Sequence, residues 1–277
     1  MYIDCHTHAF ADKIADKAVS QLIHYYGMPT TFGGRFADLM AVAGEAGLDA
    51  MILLVAATKP EQVQPANDWA LYLKQLSGTQ IQQEYGLPKA PRIVPFGTFH
   101  PEDPNWLAEI RRLRAAGIQG LKLHPEFQSI DLGDPNLDDF WAEIETDFIV
   151  MVHVGDPVVS PANYSTPFKV ARILEKFPRL RLIAAHLGGY QFWEEACTDL
   201  VGKNVYLDTS SALSYITPDL LRRIFNHHSR EMILFGSDYP LRAPWQDRVL
   251  LEQLDWLSDR DRELIFGVNC AKLLGLE

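Results

Sequence analysis

Residues 4–8 read Asp-Cys-His-Thr-His. Side chains alternate along a strand, so His6 and His8 should face the same way with Cα atoms about 6.5 Å apart. Two imidazoles so placed can converge on one cation with bonds of about 2.0–2.1 Å. The pair alone is a weak signal, because a buried histidine is more often simply packed. The positions of the other histidines add weight. Of nine in the chain, His100, His124, His153 and His186 also fall at or near the ends of strand-like segments, and Asp238 closes another in "GSDYP". Scattered core histidines would show no such preference. His24, His227 and His228 lie on helix-like or loop segments and take no role. Nitrogen and oxygen donors without cysteine suit zinc, with manganese or iron also compatible.

The elements that must carry these residues alternate. Apolar or β-branched runs at 2–8, 49–57, 92–100, 120–125, 148–155, 180–189, 204–210 and 232–240 read as buried parallel strands. Helical segments separate them, for example 104–117, with Trp106, Leu107, Ile110 and Leu113 on one stripe, and 166–178, bracketed by prolines. Eight strands each followed by a helix predict a (β/α)8 TIM barrel, α/β in class and a single domain over 1–277. Barrel active sites form at the C-terminal ends of the strands, where the histidines fall. Segments 9–35 and 58–91 exceed ordinary connections, and the first should rise over the barrel mouth as a lid or substrate wall.

Composition narrows the partners. The net charge of −11 disfavours nucleic acid and anionic membranes, both of which need a basic surface. No run reaches the roughly 18 apolar residues of a membrane helix. Three cysteines without CxxC spacing, and a start that runs directly into "YIDCHTH", fit a reducing cytoplasm.

"DCHTH", "VHVG", "AHLGG" and "GSDYP", in this order on the first, fifth, sixth and eighth strands, resemble the amidohydrolase superfamily. "GLKLHPEFQ" and "FGVNCAKLLGL" resemble more narrowly its amidohydrolase-2 branch, which holds small metal-dependent hydrolases, lactonases and decarboxylases related to aminocarboxymuconate semialdehyde decarboxylase. The resemblance runs nearly end to end. It implies that His6, His8, His153 and Asp238 bind one divalent metal, usually zinc with manganese as the main substitute, and that His186 stands beside it. The implied reaction is hydrolysis of a small anionic lactone, ester or amide by metal-activated water. Asp238 would act as general base and then proton donor, with His186 assisting. Non-oxidative decarboxylation of an aromatic or unsaturated carboxylate by the same site is the alternative. An inert ligand-binding barrel is a third reading, disfavoured by the cost of so many buried polar groups. Related barrels often pair, so a homodimer is expected by analogy alone.

Other residues carry double readings. Lys122 sits where binuclear relatives carry a carboxylated lysine bridging two metals; the favoured reading is an uncarboxylated lysine near an anion, with one metal. Lys122, His124 and Arg242 are candidates to hold an anionic part of the substrate, although a surface salt bridge suits Arg242 equally. Asp4, on the same inward face as His6, reads as a structural acceptor. Asp208 and Ser210 could orient substrate or His186, while Tyr190 and Trp193 either wall the pocket or simply pack.

Overall fold

The structure, a computed structural model, describes residues 1–276. Eight parallel strands run in sequence order: β1 (Ile3–His8), β2 (Ala50–Leu54), β3 (Arg92–Thr98), β4 (Gly120–Leu123), β5 (Ile149–Val152), β6 (Arg181–Ala184), β7 (Tyr206–Asp208) and β8 (Ile233–Leu234). The ring closes through backbone bonds from Cys5 N to Phe235 O (2.9 Å), from Asp238 N to His6 O (2.8 Å) and from His8 N to Tyr239 O (2.8 Å). Helices alternate with the strands on the outside, so this is a (β/α)8 barrel.

Burial on both faces makes the strands nearly continuous in apolar residues. Ile52, Leu54, Ile149, Met151 and Ile183 fill the barrel interior, whereas Met51, Leu53, Val150 and Val152 pack under the helices. Helix Pro167–Lys176 shows how the outer layer is specified. The Thr166 hydroxyl caps its start by accepting from Lys169 N, Pro167 opens it, and Val170, Ala171 and Ile173 bury one face.

β1 departs from simple alternation. Asp4 lies opposite Met51 and Thr7 opposite Leu53, so the four residues 4–7 of β1 span only three of β2. This bulge leaves Cys5 and His6 together opposite inward-facing Ile52 and reverses the parity beyond them. His6 and His8 thereby turn inward, their rings 5.2 Å apart. Asp4 stays on the outward side with Met51, which corrects the expectation that it shares the histidines' face. Its Oδ1 accepts from His6 N and Ser237 N, both at 3.0 Å, bracing the bulge against the turn that carries Asp238.

The strands end earlier than the sequence suggests. The runs 180–189 and 232–240 contain only four and two strand residues, because the chain then turns sharply: His186, Leu187 and Asp238 have φ of 61°, 55° and 66°. Such left-handed backbone in non-glycine residues costs of order 1 kcal/mol or more each and is held only by surrounding structure. Segment 9–35 contains helix Asp12–Tyr26, which lies over the mouth and ends at Gly27 in the left-handed conformation. Segment 58–91, although also long, does not cover the mouth. It forms helices Val63–Gln75 and Gly78–Tyr85 of the outer layer, and only Thr58 reaches the central cavity.

Candidate active site at the barrel mouth

A cavity of about 120 Å³ opens at the C-terminal rim, walled by strand-end residues below and helix Asp12–Tyr26 above. His6, His8 and Asp238 each offer a ligand atom there, all within 4.8 Å of one another. Asp238 Oδ1 is 3.4 Å from His6 Nε2 and 3.7 Å from His8 Nε2. Gly236 makes this approach feasible: a Cβ there would lie 2.9 Å from that of His6 and 3.2 Å from that of Ser210.

Each imidazole is fixed through its far nitrogen. His6 Nδ1 donates to Asp208 Oδ2 at 3.0 Å, and His8 Nδ1 donates to Leu54 O at 3.2 Å, so both Nε2 atoms present lone pairs to the cavity. Burial, with help from His6 and Lys122, lowers the His8 pKa to about 3 and keeps that ring neutral. Burial alone would raise both carboxylates, but the positive charge that the neighbouring imidazoles carry when protonated, His6 foremost, outweighs it. Asp208 is held at about 2 and Asp238 well below the usual range. The Ser211 hydroxyl donates to Asp238 Oδ2 at 2.7 Å, leaving Oδ1 toward the histidines. A neutral His8 and a His6 anchored through Nδ1, beside an ionised carboxylate, form a donor set that fits a divalent cation.

Lys122 is fully buried in the same wall, with Nζ donating to His6 Nε2 at 3.2 Å, so its ammonium occupies the lone pair that a cation would take over. Among the described residues no carboxylate lies within ion-pair distance of it, so its expected anion partner is not in direct contact. Burial lowers its pKa to about 8, partly offset by Asp238 and Asp208.

A second set of imidazoles continues around the rim. His186 Nδ1 donates to Ser210 O at 2.8 Å, which leaves Nε2 of the neutral ring to accept from His153 Nδ1 at 2.9 Å. His153 Nε2 then faces Tyr26 Oη at 3.4 Å and Gly155 O at 3.1 Å. His124 Nδ1 accepts from Phe127 N, so its Nε2 donates to Tyr26 Oη at 2.9 Å. Phe127, His124 and His153 stack in parallel, with successive centroid distances of 3.9 Å. Gly155 packs this wall tightly, since a Cβ there would meet Tyr190 O at 2.2 Å.

The structure thus brings His6, His8, His124, His153, Lys122 and Asp238 to one cavity. His153 stands outside the converging trio, and His186 groups instead with His6 and Asp208. Arg242 is not brought to the cavity. Its Nε pairs with buried Asp247 at 2.9 and 3.1 Å, so the substrate-clamp reading gives way to a structural ion pair. His100 bonds Gln128 O, and the Trp193 indole donates to His186 O, so both serve packing. Sequence reasoning missed Tyr26. Its signal was the stripe Ala15, Val19, Leu22, Tyr26, at helical spacing before Gly27. Asp208, which the sequence marks as a partner of substrate or His186, accepts from His186 N and also orients His6.

An eight-stranded α/β barrel with a histidine–carboxylate cluster at its C-terminal rim defines a broad class of small-molecule enzymes. The amidohydrolase-2 family model, described as Amidohydrolase, matches residues 3–276, and the chain belongs to this family. No curated protein matches the sequence. Solved structures share the fold at low identity. An amidohydrolase II is 19% identical, with a TM-score of 0.72, covering 99% of this chain and 100% of its own. A dihydroxybenzoic acid decarboxylase from a Polaromonas species, with bound manganese, is 16% identical (TM-score 0.67; 99% and 97% covered). A candidate 2-pyrone-4,6-dicarboxylic acid hydrolase from Pseudomonas putida is 17% identical (TM-score 0.67; 100% and 98% covered).

Proposed function

We propose that this protein is a metal-dependent hydrolase of a small anionic lactone, ester or amide. The observation that carries the reading is the convergence of His6, His8 and Asp238 beside the cavity at the barrel mouth, with the far nitrogen of each imidazole already committed. These three residues would hold one divalent cation, zinc or manganese, with His153 as a fourth candidate ligand. A cation so held lowers the pKa of water toward about 7 and polarises a carbonyl oxygen. Asp238, held ionised beside the cation position, takes the proton of the attacking water and returns it to the leaving group. In this reading His186, anchored by Ser210 O and bonded to His153 Nδ1, acts as a positioning residue for His153 rather than reaching the cavity itself. Lys122, next to His6 Nε2, supplies positive charge for the anionic part of the substrate.

Decarboxylation is the second reading, favoured by one observation: the stacked wall of Phe127, His124 and His153 suits a planar unsaturated ring. Product analysis on the metal-loaded protein separates the two. Ring opening of a lactone panel supports hydrolysis, whereas carbon dioxide release from hydroxybenzoates without hydrolysis of any lactone, ester or amide rejects it.

A further inference from the structure

The last turn of the helix over the mouth carries two adjacent tyrosines. Tyr25 points outward and donates to Asp156 Oδ2, while its ring packs edge-on against Phe127 at 4.7 Å. Tyr26 points inward and is the residue of that helix that touches the histidines. The polarity of its hydroxyl is fixed by its partners. His124 Nδ1 is occupied by Phe127 N–H, so His124 Nε2 carries the proton and fills one acceptor position of Tyr26 Oη. The other neighbour of Tyr26 Oη, His153 Nε2, lies at a long 3.4 Å and is closer to Gly155 O at 3.1 Å, so the phenolic hydrogen has no short acceptor. That hydrogen is free for an acceptor in the cavity.

Size and charge constrain the guest. The cavity of about 120 Å³ is slightly smaller than the roughly 150 Å³ that accommodates a benzene ring in an engineered protein core. Lys122 is the one cationic side chain in its wall. The carboxylates bearing on Tyr26 are those of Asp238, Asp156 and Glu126. A second anionic group at that end would meet like charge.

We infer that Tyr26 is the specificity-determining residue of the site: it closes the chamber to substrates of one ring and one negative charge, and donates a hydrogen bond to an uncharged oxygen on that ring. This rests on the cation site proposed above, which would receive the anionic group.

Calorimetric binding to zinc-loaded protein tests it without requiring turnover, using benzoate, the three hydroxybenzoates, isophthalate and 2-naphthoate as probes. Wild type should bind at least one hydroxybenzoate about five- to tenfold more tightly than benzoate. Isophthalate should bind at least about tenfold more weakly than benzoate. Tyr26→Phe should erase the hydroxyl preference and leave benzoate unchanged, and Tyr26→Ala should admit 2-naphthoate, which wild type excludes. The phenylalanine variant keeps the ring and tests the donor even where the alanine variant does not fold. A hydroxyl preference absent from wild type or retained in Tyr26→Phe, tight isophthalate or naphthoate binding by wild type, or no binding of any probe would overturn the inference. The expected binding pattern with no hydrolysis of any lactone, ester or amide would leave it standing and remove the hydrolase reading alone.

Discussion

Replacing Asp208 by asparagine changes one atom outside the cavity yet should weaken metal binding strongly. Asp208 Oδ2 accepts from His6 Nδ1 at 3.0 Å. Its Oδ1 accepts from His186 N at 3.2 Å, from Ser210 N at 2.9 Å and from the Ser210 hydroxyl. Every one of these neighbours donates, and a carboxylate satisfies both sides. An amide cannot. With its oxygen toward the backbone donors, its NH2 faces His6 and drives that ring's proton onto Nε2, removing the lone pair aimed at the cavity. With its oxygen toward His6, the NH2 opposes two backbone N–H groups in a fully buried place. Loss of such a supporting partner typically lowers metal affinity about 10- to 100-fold, or about 1.4–2.8 kcal/mol. Competition with a chromophoric chelator for zinc measures it, with circular dichroism checking the fold. A well-folded Asp208→Asn protein with zinc affinity within about twofold of wild type would refute the claim that Asp208 aims His6.

Two further perturbations probe the scaffold. Gly155→Ala places a Cβ 2.2 Å from Tyr190 O at a φ of 92°. Urea denaturation should register a loss of about 3 kcal/mol or more, and a loss under about 1 kcal/mol would contradict the close approach. His228, remote from the site, accepts from Gly202 N through Nδ1 (3.1 Å) and donates to Val205 O through Nε2 (3.0 Å), so it must be neutral. Burial, aided by Arg230, lowers its pKa. The unfolded chain therefore takes up a proton below about pH 6.5 that the folded chain resists, and stability falls as the pH drops through that region toward the folded value. Stability of His228→Gln against pH should be flatter than wild type below about pH 6.5, and parallel curves would exclude the residue as a source of the slope.

The barrel was legible because buried parallel strands and amphipathic helices leave different periodicities, and because strand-end histidines mark one rim. What escaped the sequence depends on one-residue geometry. The β1 bulge reverses parity between Asp4 and Thr7, and nothing in "DCHTH" announces it. Strand ends were overextended at 186 and 238 because apolar, β-prone runs continue into left-handed turns that tertiary contacts impose. Arg242 stands beside the rim in sequence, but the direction of its guanidinium is set by Asp247, five residues on and buried. Tyr26 lay in a segment recognised as a wall of the mouth, and its helical stripe was the unread signal.

The account depends most on His6, His8 and Asp238 closing around one cation. Equilibrium dialysis against zinc or manganese with elemental analysis tests this directly. Wild type should retain about one equivalent, with His8→Ala and Asp238→Ala each at least about tenfold weaker while still folded. No uptake by wild type, or the same uptake by both variants, would contradict it.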